Sequence, residues 1–433
     1  MGKGLLNVIS SLRLTVVCLG LAIILVFVGT FAQVRLGLYV AQEDFFRSFF
    51  VYWRPEGANW KIPVLPGGWL LGMALLVNLI AAHLKRFKLS SKRIGIFLIH
   101  GGLIFLLLGQ FLTEIFQIES NLRIAEGETR NFTENSRENE LAVIDVSDPA
   151  HDSVVAIPES LLKKDKEIHH PKLPFTLRVK EYFPNSFPTT DTNERSAALS
   201  AAQGVGQRLF FSNTEKTAKM DDENKPAALI EVLSGQGQKS EWVVSTWLTK
   251  IPWIGVLREK LISMGDLLNR PQSFEFAGRQ YQLALRPIRY YNDYSIKLID
   301  FSHDRYKGTD TPKNFSSRIH LQNPKTGEDR DVLIYMNNPL RYAGQTYYQG
   351  SFDRFDDTVS ILHVVRNPAW LTPYLSCFLV GAGLLWQFLS HLISFGRRGP
   401  TPKPQQPRQR RQSPSEPELV SAGGGSGSKR RIR

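Results

Sequence analysis

Four stretches without a charged residue constrain this chain more than any other feature. Leu14–Val34 lies between Arg13 and Arg35, and Ile62–Leu84 lies between Lys61 and Lys85. Ile94–Thr113 lies between Arg93 and Glu114, and Asn367–Gly396 lies between Arg366 and Arg397. About 20 mostly apolar residues are enough for a helix to cross a hydrocarbon core of roughly 30 Å, so each stretch is long enough to span. The chain as a whole is only 42% apolar, because an ordinary segment, residues 114–366, separates the third stretch from the fourth.

The charges then say which way the spans run. The formal charge is +13, which on its own suggests nucleic acid or an anionic surface. Residues 1–13 carry a net +2, the loop 85–93 carries +5 and the tail 397–433 carries +8. These segments fall on one side if all four stretches span, and the remainder of the chain is close to neutral. By the positive-inside rule that side is the cytoplasm, and the charge becomes a topology signal rather than a sign of nucleic-acid binding.

The expected order is a cytoplasmic N-terminus (1–13), a first span (14–34) read as an uncleaved anchor, and an external loop (35–66). A second span (67–84) follows the turn Pro66-Gly67-Gly68, then the basic cytoplasmic loop (85–93) and a third span (94–113). An external domain (114–366), a fourth span (367–396) and a disordered basic tail (397–433) complete it, the tail being too polar to bury a core and attracted to anionic lipid. In the external loop, Phe45, Phe46, Phe49, Phe50 and Trp53 recur at helical spacings through Ala41–Trp53, which predicts a helix lying in the membrane interface. Trp53, Trp60 and Trp69 would join an aromatic belt.

Residues 114–366 read as strands. Alternating or β-branched runs include Leu141–Val146, Val154–Ile157, Thr176–Val179, Ala228–Val232, Trp242–Thr246, Gln280–Leu285, Ser295–Ile299, Asp331–Tyr335 and Val359–Val365. The fold class is therefore an integral membrane protein with four transmembrane helices. A large all-β, sandwich- or barrel-like external domain is inserted between helices 3 and 4. Asp191–Asn224 is polar and less periodic, and reads as a long loop. Both cysteines, Cys18 and Cys377, fall inside spans, so the external domain has no thiol chemistry of its own.

The third span has glycines at 95, 102 and 109, a seven-residue stripe that lets another helix come close. His100 lies seven residues past Arg93, roughly 10 Å into the helix, and points away from that stripe. An ionisable residue at such a depth is a functional candidate, and a neutral imidazole is a good axial ligand for haem iron. The plainer reading is a histidine hydrogen-bonded to a neighbouring helix. His83, two residues from Lys85, reads as interfacial, and His391 lies six residues before Arg397. Together the three could bracket a planar metal cofactor. His169, His170, His303, His320 and His363 show no metal-ligand spacing. There is no P-loop, no G-x-S-x-G, no H-E-x-x-H and no C-x-x-C-H, so nothing announces an active site or a c-type haem attached to the chain itself.

The arrangement resembles the ResB (CcsB) family of cytochrome c biogenesis proteins, in its separate, non-fused form. The resemblance is carried by Ser11-Leu12-Arg13-Leu14-Thr15, by Gly29-Thr30 with Gln33 and by Ile99-His100. It is carried further by Asn338-Pro339-Leu340-Arg341-Tyr342 with Gly344, Thr346, Tyr348 and Gln349, and by Arg366-Asn367-Pro368. It implies a haem-ligating histidine at His100 and haem b as transient cargo rather than resident cofactor. It also implies a ResC (CcsA)-type polytopic partner and delivery of haem to apocytochrome c in a cytochrome c synthase (haem lyase) complex. This chain would be a non-catalytic subunit there, in a bacterial cytoplasmic (inner) membrane with its large domain periplasmic. The competing expectation is a membrane-anchored envelope scaffold or sensor whose β domain binds a protein or glycan without haem.

Overall fold

A computed structural model describes residues 2–55, 60–86, 93–191, 198–217, 223–233, 239–249, 272–305, 307–308, 312–353 and 356–397. Most of the basic loop 85–93 and nearly all of the tail 397–433 lie outside the described residues.

Four long helices form, Leu12–Leu36, Gly68–Arg86, Ile94–Phe116 and Thr372–Arg397, here called the first to the fourth. All four are long and apolar enough to cross a membrane. They leave large side chains such as Ile23, Phe27, Leu385 and Phe388 exposed, a surface suited to hydrocarbon and not to water. By length and composition the four helices fit a membrane protein. Ser11 caps the first helix, its Oγ accepting from the Leu14 amide. The same turn is held to the second helix by buried Asn78. Its Nδ2 donates to the carbonyls of Ile9 and Ser11 at 2.5 and 3.0 Å, and its Oδ1 accepts from Thr15 Oγ1 at 2.6 Å. A side-chain amide among apolar residues is tolerated here because it is satisfied on both ends.

The third and fourth helices pack through the glycine stripe, as its spacing suggests. Gly95, Gly102 and Gly109 are all buried. A Cβ on Gly102 would sit 2.8 Å from Val380 Cγ2 and 2.9 Å from the Ser376 carbonyl. On Gly95 it would sit 2.8 Å from the Gly383 carbonyl, and on Gly109 it would collide with Thr372.

The helix expected across Ala41–Trp53 forms only in part. The chain is helical through Phe46, closing with an Arg47 N–H to Gln42 carbonyl bond of 2.8 Å. Phe50–Trp53 (β1) then pairs antiparallel with Ile62–Pro66 (β2), since aromatic residues suit a strand as well as a helix and a partner strand is at hand. Gly67 and Gly68 let the Phe46–Ser48 backbone lie directly on the start of the second helix, where a Cβ would strike it.

Between the third and fourth helices the chain is β-rich and antiparallel. The described strands run from Ile118–Ala125 (β3) to Asp356–Arg366 (β18). One ten-stranded sheet has the order Glu328–Tyr335 (β15), Pro312–Asn323 (β14), Arg279–Arg305 (β13), Thr129–Asp145 (β4), β3, β18, Gln345–Asp353 (β17) and Leu340–Tyr342 (β16), with Gln272–Phe276 (β12) paired beside β13 and Ser153–Pro158 (β5) beside β4. A four-stranded sheet has the order Lys239–Ser245 (β11), Ala227–Leu233 (β10), Thr176–Phe183 (β7) and Lys166–Ile168 (β6). The strand β13 (Arg279–Arg305) is long enough to serve two cores, and β4 (Thr129–Asp145) joins it in the first. One half packs Leu141, Val143, Leu283 and Leu285 against Leu177, Ile230 and Val244 of the smaller sheet. The other half packs Tyr294, Ile296 and Leu298 with Leu122, Ile319, Tyr347 and Leu362. Gln280–Leu285 and Ser295–Ile299, which read as separate strands, are parts of the single strand β13, with register irregularities after Pro287 and Tyr291.

The Asp191–Asn224 stretch is not simply a loop. Phe210–Asn213 (β9) pairs with Ser186–Thr189 (β8), and Leu199, Val205, Leu209 and Phe211 bury against Ala227, Val243 and Trp247. Polar residues between these anchors break the alternation that would have marked a core.

Candidate functional site

His100 stands two turns into the third helix, at the end away from the β domain. Phe97 and His100, three residues apart, share the face turned toward the second helix. The His83 ring of the second helix stacks on Phe97, with centroids 5.1 Å apart and planes at 30°. It meets His100 edge to face at 5.8 Å and 73°. Both histidines are half-buried, so His83 is more enclosed than its distance from Lys85 suggested. The structure thus brings His83 and His100 together.

It places His391 elsewhere. That residue is exposed on the fourth helix, within 2.8 Å of Gln387, nitrogen to nitrogen. Gln387 in turn lies against Gly95, so His391 is linked to the glycine face and not to the histidine face. Among the described residues no group of three or more His, Cys, Asp or Glu is arranged to hold a metal ion. What the pair offers is imidazole nitrogen in an apolar helix bundle, a donor type that suits iron.

The motif around residues 338–349 proves to be an anchor. Leu340–Tyr342 (β16) and Gln345–Asp353 (β17) are joined by a two-residue turn, with Ala343 and Gly344 both at positive φ (49° and 77°). Tyr347 is fully buried, its hydroxyl 2.7 Å from that of Tyr294. Burial pushes both phenols above the usual tyrosine range, so they stay neutral hydrogen-bonding groups. Gln349 accepts from Ser317 Oγ at 2.7 Å. Arg341 lies over the Trp370 ring at 5.2 Å, fastening this hairpin to the start of the fourth helix. Thr113 and Asn367 bond across the third helix and the approach to the fourth.

At the β-domain end of the bundle lies a feature that sequence reasoning missed. Arg47 of the connecting segment forms ion pairs with Glu43 and with Glu114 of the third helix. Two chambers, of about 530 and 500 Å³, adjoin there and share Arg47, Gln110 and Glu114. The visible signal was Gln110 and Glu114, four apart on the third helix and hence on one face.

Residues 272–370 match the ResB-like family. This segment runs from β12 to the approach of the fourth helix and contains the anchoring hairpin. A stretch of 116 residues is 33% identical to the protein NrfI of Wolinella succinogenes, covering 27% of this chain and 13% of that relative.

Proposed function

We propose, from the premise that this is a ResB-like family chain by its residues 272–370, that it is a component of cytochrome c biogenesis. In this reading it works with a ResC (CcsA)-type polytopic partner to move haem across the bacterial cytoplasmic membrane and deliver it to apocytochrome c. The observation that carries the reading is the position of His100. It is an imidazole two turns inside an apolar helix, on the face left free by the glycine packing and beside a second histidine.

Haem is here a cargo. His100 would hold the haem iron through an imidazole nitrogen, with a histidine of the partner as a second ligand. The basic segments orient the chain with His100 toward the cytoplasm, the side from which haem arrives, and with the β domain in the periplasm. His83, packed on Phe97, positions the His100 ring. The β domain braces the partner or holds the apocytochrome. Thioether formation uses the cytochrome's own thiols, so this chain contributes positioning rather than acid–base groups.

The test is the haem content of the complex purified with its partner, read from the Soret band. His100→Ala should reduce it to background while chain and partner remain at wild-type levels by immunoblot. Unchanged haem in that variant would overturn the role of His100. A wild-type complex without a Soret band would favour the scaffold reading instead.

A further inference from the structure

The two adjoining chambers differ in lining. The first sits among helix side chains, walled by Phe46, Trp69, Met73, Leu76, Leu107 and Phe111, with Trp69 and Phe111 edge to face at 5.5 Å. The second lies at the foot of the β domain, bordered by Tyr39, Glu119, Arg137, Glu138 and Tyr290. Each has a volume within the range of ~300–1,000 Å³ common to small-molecule sites. We propose that together they form one site for a phospholipid with a zwitterionic, amine-bearing head group, the acyl chain in the apolar chamber and the head group in the polar one.

The position fits. The chambers meet where the helices end and the β domain begins, the depth at which head groups lie in a membrane crossed by these helices. The walls are fixed rather than incidental. Phe46 is wedged against Gly29 and Gly68, and Arg137 of β4 rests on the Tyr39 ring at 3.9 Å, tying the β domain to the segment after the first helix.

The charges choose the head group. Arg47 is already neutralised by Glu43 and Glu114. That leaves Arg137, which among the described residues makes its cation–π contact and no ion pair, and the carboxylates of Glu119 and Glu138. Among the described residues these two accept amide hydrogen bonds, from Gln117 and Asn135, and Glu119 also lies within electrostatic reach of the already neutralised Arg47. One guanidinium beside two carboxylates complements a phosphate next to an ammonium. It opposes a purely anionic head group, and it opposes the two propionates of haem as well. This site is independent of the haem reading and stands or falls apart from it.

The experiment is native mass spectrometry of the full chain, released from nanodiscs containing equal amounts of phosphatidylethanolamine and phosphatidylglycerol of identical acyl chains. The expected result is one phosphatidylethanolamine retained per chain, in preference to phosphatidylglycerol. Arg137→Ala, which removes the guanidinium, should lower that retention about tenfold while the thermal midpoint in detergent reports any loosening of the Tyr39 contact. Leu107→Trp, which fills the apolar chamber, should abolish it, and His100→Ala should leave it unchanged. Equal retention of the two lipids, or undiminished retention in Arg137→Ala, would overturn the proposal.

Discussion

One face of the third helix is built from glycine, and another carries histidine. The glycine face works by omission. Because Gly95, Gly102 and Gly109 have no side chains, the fourth helix comes close to their backbone, and carbonyls at Gly95 and Gly102 and the Thr372 side chain at Gly109 occupy the space a Cβ would need. The histidine face works by what it presents. Phe97 and His100 meet His83 of the second helix through ring contacts. The first face sets the close approach of the backbones, and the second carries the imidazoles on which the proposed function rests. A substitution should therefore disturb one without the other, and this separation can be tested.

The largest effect is expected from Gly102→Leu. The new side chain meets Val380 and the Ser376 carbonyl, and a backbone atom cannot step aside as a flexible side chain does. Overpacking of this kind costs ~1–3 kcal/mol or more. The thermal midpoint in detergent should fall by several degrees and the amount of chain in the membrane fraction should drop. A wild-type midpoint would mean that close packing is not what the glycines provide. Next comes His100→Ala, expected to lose co-purified haem while the midpoint stays within the ~0.5 kcal/mol scatter of a benign substitution. A large drop in midpoint would place His100 on the structural side of the comparison. His83→Phe keeps the stacking on Phe97 and removes the second imidazole. Haem content should fall only in part, with the Soret maximum shifted, because His100 loses its neighbour and not its own nitrogen. His391→Ala should change neither readout, since that ring is exposed and linked to the glycine face through Gln387.

What could be read in advance follows the same division. The four spans and the glycine stripe are patterns within a single segment, so charge-free length and a spacing of seven were enough to reveal them. The depth of His100 was legible for that reason too. Its contact with His83 was not, because the rotation of the second helix is set by tertiary contacts such as those of Asn78. In the β domain the regular runs read correctly as strands. Phe210 and Phe211 were overlooked because their buried neighbours Leu199 and Val205 sit on irregular backbone with no period to detect. The aromatic run at Ala41–Trp53 misled for the opposite reason. Its helical spacing was genuine, but pairing between β1 and β2 satisfied the backbone better over its second half.

The packing of the third helix against the fourth also has a consequence for how the protein is made. Residues 117–371 separate the two helices, and at ~5–20 residues per second their synthesis takes roughly 10–50 s. Throughout that interval the glycine face waits without the fourth helix. The strand that emerges just before the fourth helix, β18, pairs with β3, the strand that left the third helix, and sets Arg366 opposite Ile118. The finished sheet therefore delivers Thr372 to the side of Gly109, and the β domain serves its own bundle as an assembly jig before it serves any partner.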